Sequence, residues 1–221
     1  MANTGLINPS EITPNMTGGT NGGAGRISDG NNSTFTQQYD FGGTTKTHYI
    51  HSFSGTDIPD GATINGCELI VHARYEDDYQ AHNVYFGIAH DGDGTDGGAD
   101  DATFSDVADG GSGYTGTTQQ DDGTTITGDG GTAIFDLTDT FSTKTFGSNS
   151  TTWNLAWPTS GLDLTNMVVK AVIAYDISSG IYIFDLAEVD LKIYYTEGFA
   201  ENKYIIAKGN MNISGGRVTL K

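Results

Sequence analysis

Asp91, Asp93 and Asp96 crowd the run DGDGTDG, and closely spaced aspartates are the ligand set a hard cation such as Ca²⁺ prefers. The EF-hand spacing fails, since the sixth loop position is Asp96 instead of Gly and the twelfth is Ala102 instead of Glu. Ca²⁺ is thus the one cofactor suggested, and a solvated acidic loop is the simpler reading. Gly92, Gly94 and Gly97 match the dinucleotide spacing G-x-G-x-x-G, but no helical pattern follows and the interleaved aspartates would repel a pyrophosphate. Trp153 and Trp157 fall on one face of a period-two segment, and Tyr114 stands in a glycine-rich stretch. Exposed, these three rings would stack on sugars, whereas two tryptophans on one strand face are more commonly core. Asp185 and Glu188 could form a glycosidase pair, though a chain with 28 acids holds many such pairs by chance.

Other reactive constellations are missing from the sequence. There is no Gly-x-Ser-x-Gly elbow, His-Glu-x-x-His pair or P-loop. His48 and His51 cannot share a strand face, His72 lies on the polar side of its strand, and His82 and His90 flank another, so a histidine metal site would need tertiary coincidence. The single cysteine, Cys67, falls in an apolar pattern, reads as a small core residue and excludes an intrachain disulfide. The expectation is a protein without catalytic residues.

Charge narrows the partners. A formal net charge of −18 and a pI of about 4.2 oppose a nucleic-acid surface, which needs clustered Lys and Arg. The opening MANTGLINPSEI lacks the basic and apolar regions of a secretory signal, and no apolar run approaches membrane-spanning length. Neither nucleic acid nor membrane is expected as a partner.

The elements that would position these residues read as β throughout. Pro59-Asp60-Gly61 pre-sets a tight turn, and after it Cys67, Leu69, Val71, Ala73 and Tyr75 alternate with Glu68, His72 and Arg74. His82 to Ala89, with Val84, Phe86 and Ile88 on one face, suggests the return strand of a hairpin. Further strands are expected at Lys46 to Phe53, Ala133 to Leu137, Thr151 to Trp157, Met167 to Tyr175, Ile181 to Leu186 and Val189 to Tyr195. About eight to ten short strands with glycine-rich turns predict an all-β, antiparallel two-sheet sandwich, jelly-roll-like. Residues 1–24 read as a polar N-terminal arm, 25–197 as the sandwich and 198–221 as a small β meander. Within the sandwich, 91–131 is an insertion with ten Asp, twelve Gly and no Lys, Arg or Glu, predicted to project into solvent.

The tail inverts the charge of the rest. Lys203, Lys208, Arg217 and Lys221 oppose only Glu201 beyond Gly198. A meander this short cannot cover Tyr204, Ile206, Ile213, Val218 and Leu220 by itself, so the tail reads as an assembly element that docks by strand addition and charge complementarity.

Three stretches carry a resemblance: IPDGATING at 58–66 with the strand after it, Trp157-Pro158 and Leu164-Thr165-Asn166 before the strand at 168–175, and AEVDLKIYY at 187–195. Over roughly Ile27 to Thr196 the chain resembles a β-sandwich domain of tailed-bacteriophage structural proteins, found in decoration proteins and fibres. The resemblance implies a non-enzymatic virion component with no catalytic motif to transfer. It would be assembled in the host cytoplasm and exposed on the virion surface, decorating the head. Its partners would be other virion proteins, such as a major capsid or tail/fibre protein, and further copies of itself, a trimer included. The alternative is a fibre module that binds a host glycan through Trp153, Trp157 or Tyr114.

Overall fold

Cys67, Leu69, Val71 and Ala73 are all fully buried along the 13-residue strand Thr63–Tyr75, as the alternation predicts. The computed structural model describes residues 1–13, 27, 35–41, 46–75, 83–92, 117–119, 125–127, 133–174, 181–198, 211–214 and 217–220. Its strands are β1 (Ala2–Asn3), β2 (Glu11–Thr13), β3 (Thr36–Phe41), β4 (Lys46–His51), β5 (Thr63–Tyr75), β6 (Asn83–Ala89), β7 (Thr117–Gln119), β8 (Thr125–Thr127), β9 (Ile134–Asp136), β10 (Ser142–Ser148), β11 (Val168–Ala174), β12 (Ile181–Thr196), β13 (Met211–Ser214) and β14 (Arg217–Leu220). Among the described residues the only helical turn is the 3-10 turn Leu164–Asn166.

Ten of these strands form two antiparallel sheets around one core, so the all-β sandwich is the observed fold. One sheet runs β1-β12-β5-β10, with β3 beside β1 on the same edge of the long β12; the other runs β2-β4-β11-β6-β9. Aromatic rings close the gap between them: Phe86 of β6 meets Phe146 of β10 with centroids 5.7 Å apart.

Several elements differ from the sequence expectation. β5 and β6 are not a hairpin. β5 lies between β12 and β10, β6 lies between β11 and β9, and the chain crosses from one sheet to the other between them. Alternation reports which face is buried but not which strand is alongside, and every residue of β6 from Val84 to Ala89 except Gly87 is a buried hydrophobic. Thr151 to Trp157 is not a strand. Trp153 and Asn154 take left-handed φ values of 56° and 52° in a turn, and the strand before them, β10, carries one buried apolar residue, Phe146. The segments expected at 181–186 and 189–195 are one strand of 16 residues, with a β-bulge at Ala187 between Leu186 and Glu188.

The first residues do more than trail from the domain. β1 pairs with β12 and β2 with β4, so the segment contributes an edge strand to each sheet, while Ile7 and Ile12 are 2% and 3% exposed. Its low apolar content hides this, because two well-placed isoleucines suffice to anchor it. In the acidic insertion β7 and β8 pair as a separate two-stranded sheet, which the sequence pattern did not suggest.

Candidate functional site: a carboxylate-lined cleft beside Trp157

The turn that starts β5 also builds one wall of a cleft. Ile58 and Leu162 exchange two backbone hydrogen bonds of 3.0 Å each, and Gly61 N donates to Thr159 O at 2.9 Å. These bonds tie the Pro59-Asp60-Gly61 turn to the loop 158–166, so two of the stretches that carry the resemblance meet here. Gly161, at φ +87°, allows the close approach: a β-carbon there would come within 2.7 Å of Asp60 Oδ1. Asp57 Oδ1 accepts from Leu164 N at 3.1 Å, and Asp163 caps the 3-10 turn by accepting from Thr165 N at 2.9 Å and Thr165 Oγ1 at 2.6 Å. On the opposite side Gly92 N donates to Asn166 O at 3.1 Å, which holds His90 and Asp91 against the same loop.

The cleft is open to solvent and holds about 410 Å³, lined by Asp57, Asp60, His90, Ser160, Asp163 and Asn166 together with Ile58, Pro158, Gly161 and Leu162. His90 is stacked on the Trp157 indole with centroids 5.2 Å apart, its Nε2 lies 3.1 Å from Ala156 O, and Trp157 Nε1 donates to Thr152 O at 2.8 Å. The hydrogen bonds from Thr165 hold the Asp163 carboxyl below the usual carboxylate range, so it is charged at neutral pH. Among the described residues no group of three His, Cys, Asp or Glu side chains converges as metal ligands.

The residues singled out in the sequence scatter. Trp153 is 1% exposed, its Nε1 donates to Cys67 O at 2.9 Å, and it cannot meet a ligand; the sugar-stacking expectation is corrected there in favour of a core anchor. Its partner Trp157 is half-buried and reaches the cleft only through His90, because the turn at Trp153-Asn154 separates two residues that a strand would have set on one face. Tyr114, Asp93 and Asp96 lie outside the described residues, and Asp91 is exposed next to the cleft. Of the assembly residues, Ile213, Arg217, Val218 and Leu220 fall in β13 and β14, whereas Lys203, Tyr204, Ile206 and Lys208 lie outside the described residues. Cys67 is fully buried, and burial pushes its thiol far up, as an inert core cysteine requires.

The outer face of the β12 sheet rearranges the acid pair. Asp185 does not work with Glu188: its Oδ2 accepts from Arg74 Nε at 2.7 Å, and Arg74 lies over the Phe35 and Phe141 rings at 5.4 and 4.7 Å. Glu188 instead hydrogen-bonds Asp190, which also accepts from Asn8 Nδ2. The Asp190 carboxyl is pushed up to about 7 by burial first, then by the charge and hydrogen bond of Glu188. Sequence scanning missed the cleft because Asp57, Asp60 and Asp163 are loop residues from two distant segments; the one available signal was the turn chemistry of Pro59-Asp60-Gly61. The chain matches no protein-family model, and no curated protein or solved structure matches it.

Proposed function

We propose that this chain is a non-enzymatic structural component of a phage virion, a jelly-roll-like decoration or cement protein exposed on the head. The observation that supports it most is the separate sheet of β13 and β14. Its register sets Met211 opposite Leu220 and Ile213 opposite Val218, so apolar residues take alternate positions of the ribbon, with Asn212, Ser214, Arg217 and Thr219 at the others. Among the described residues neither strand pairs with a strand of the sandwich. A two-stranded ribbon is marginal alone. Such a ribbon in a segment of inverted charge suits docking on an acidic neighbour, either another virion protein or a further copy of this chain.

Deletion after Gly198 is the test. β12 ends at Thr196, and Gly198 lies so close to the Gly61 backbone that a side chain there would collide with it, so the cut spares the sandwich core. The truncated protein should stay folded by circular dichroism yet fail to enter particles or to oligomerise, while the intact protein is seen on the head by electron microscopy. A truncated chain that assembles normally rejects the proposal, as does an intact chain absent from particles.

A further inference from the structure

A space of about 410 Å³ falls within the size range that takes small ligands, and its lining specifies which kind. The carboxylates of Asp57, Asp60 and Asp163, the Ser160 hydroxyl and the Asn166 amide are spread around the walls. Ligand hydroxyls donate strongly to carboxylates, which suits a molecule with several O–H groups at different points. A metal ion needs donors that converge on one point, and no such group occurs among the described residues. An anionic ligand would meet three carboxylates, with Asp163 held ionised by its cap hydrogen bonds. The remaining lining is non-polar in part, formed by the Pro158 ring and by His90, whose ring is fixed against Trp157. Such surfaces take the C–H faces of a sugar ring while acceptors hold its edge.

We propose that the cleft between the Pro59-Asp60-Gly61 turn and the loop 158–166 binds a neutral saccharide, directly and without a metal ion. The walls are preformed: the Ile58–Leu162 and Gly61–Thr159 hydrogen bonds and the Asp57 contact to Leu164 N already hold both loops. Asp60 and Ser160 are exposed and take no part in those bonds, so they can be changed without releasing the loops.

The test presents the full-length protein to an array of neutral, sialylated and sulfated oligosaccharides in the presence of EDTA. Binding to neutral members and not to acidic ones is expected. Asp60→Asn and Ser160→Ala should each weaken it about tenfold, the equivalent of one lost hydrogen bond, with melting temperature unchanged. A chain cut after Gly198 should bind as the intact one does, which separates this activity from assembly. The proposal is overturned if no neutral glycan binds, if both substitutions leave binding intact, if Ca²⁺ is required, or if high salt abolishes the interaction as it would for a cationic ligand.

Discussion

Asp185 and Asp190 lie five residues apart on one face of β12, are buried at 0% and 2% exposed, and meet opposite kinds of neighbour. Asp185 meets a guanidinium, which offsets the cost of desolvating its charge. Asp190 meets an amide and a second carboxyl, so the inexpensive solution is to hold a proton. Burial raises the cost of charge at both positions, and the groups beside each carboxylate decide how that cost is met. The register puts Arg74 opposite Asp185 and Ile70 opposite Asp190, and the bulge at Ala187 is what brings both acids to the outer face.

The largest effect should come from removing the cation. Arg74→Ala leaves Asp185 buried without its charge partner and should cost about 3–5 kcal/mol at neutral pH, read by urea unfolding. A loss below about 1 kcal/mol would place this pair with exposed ion pairs and remove the contrast.

Asp190 should behave in the reverse sense. Its folded-state value of about 7 lies above the ordinary 3.8, so the folded chain holds a proton that the unfolded chain has released. Its contribution to stability is complete below about pH 4 and is lost as pH rises to about 7. Thermal unfolding of wild type and Asp190→Asn across that range checks this: the variant, which cannot ionise there, should gain on the wild type as pH rises. A difference in melting temperature that is constant with pH would show that Asp190 does not hold its proton.

The smallest effect is expected at Asn8. Asn8→Ala removes the amide that donates to Asp190 and should cost about 1 kcal/mol. The loss should be local. Ile7 and Leu191 exchange backbone hydrogen bonds of 2.9 and 3.0 Å, so their amides should exchange hydrogen faster in the variant, with the amides of β5 unchanged. Uniform acceleration throughout the sandwich would mean that the contact is not confined to the N-terminal edge.

Legibility in the sequence followed the strength of the alternation. β5 and β12 were readable because their inward positions, Cys67 to Ala73 and Val189 to Ile193, are apolar at every second residue over several turns of the pleat. β10 was not, since Ser142–Ser148 buries only Phe146 and its partner lies some seventy positions away. The alternation Trp153, Leu155, Trp157 misled because a turn can bury one such residue and half-bury the other two against the core. The cleft was the least readable part: turn residues announce a bend, but which carboxylates share its walls depends on the Ile58–Leu162 bridge, a contact made across more than a hundred positions.

The pairing of Ala2 with Tyr195 and of Thr4 N with Ile193 O bears on how the molecule is made. Ala2 and Thr4 have no partner until the strand that ends at Thr196 has been synthesised. Ile7, which bridges Leu191, must wait through that interval, and β5 must wait for β12. Non-local pairing of this order slows folding towards the millisecond-to-second range and lengthens the time in which unpaired strand edges can meet those of another copy. The net charge of −18 acts throughout that period, keeping incomplete chains apart before any sheet has formed to separate them.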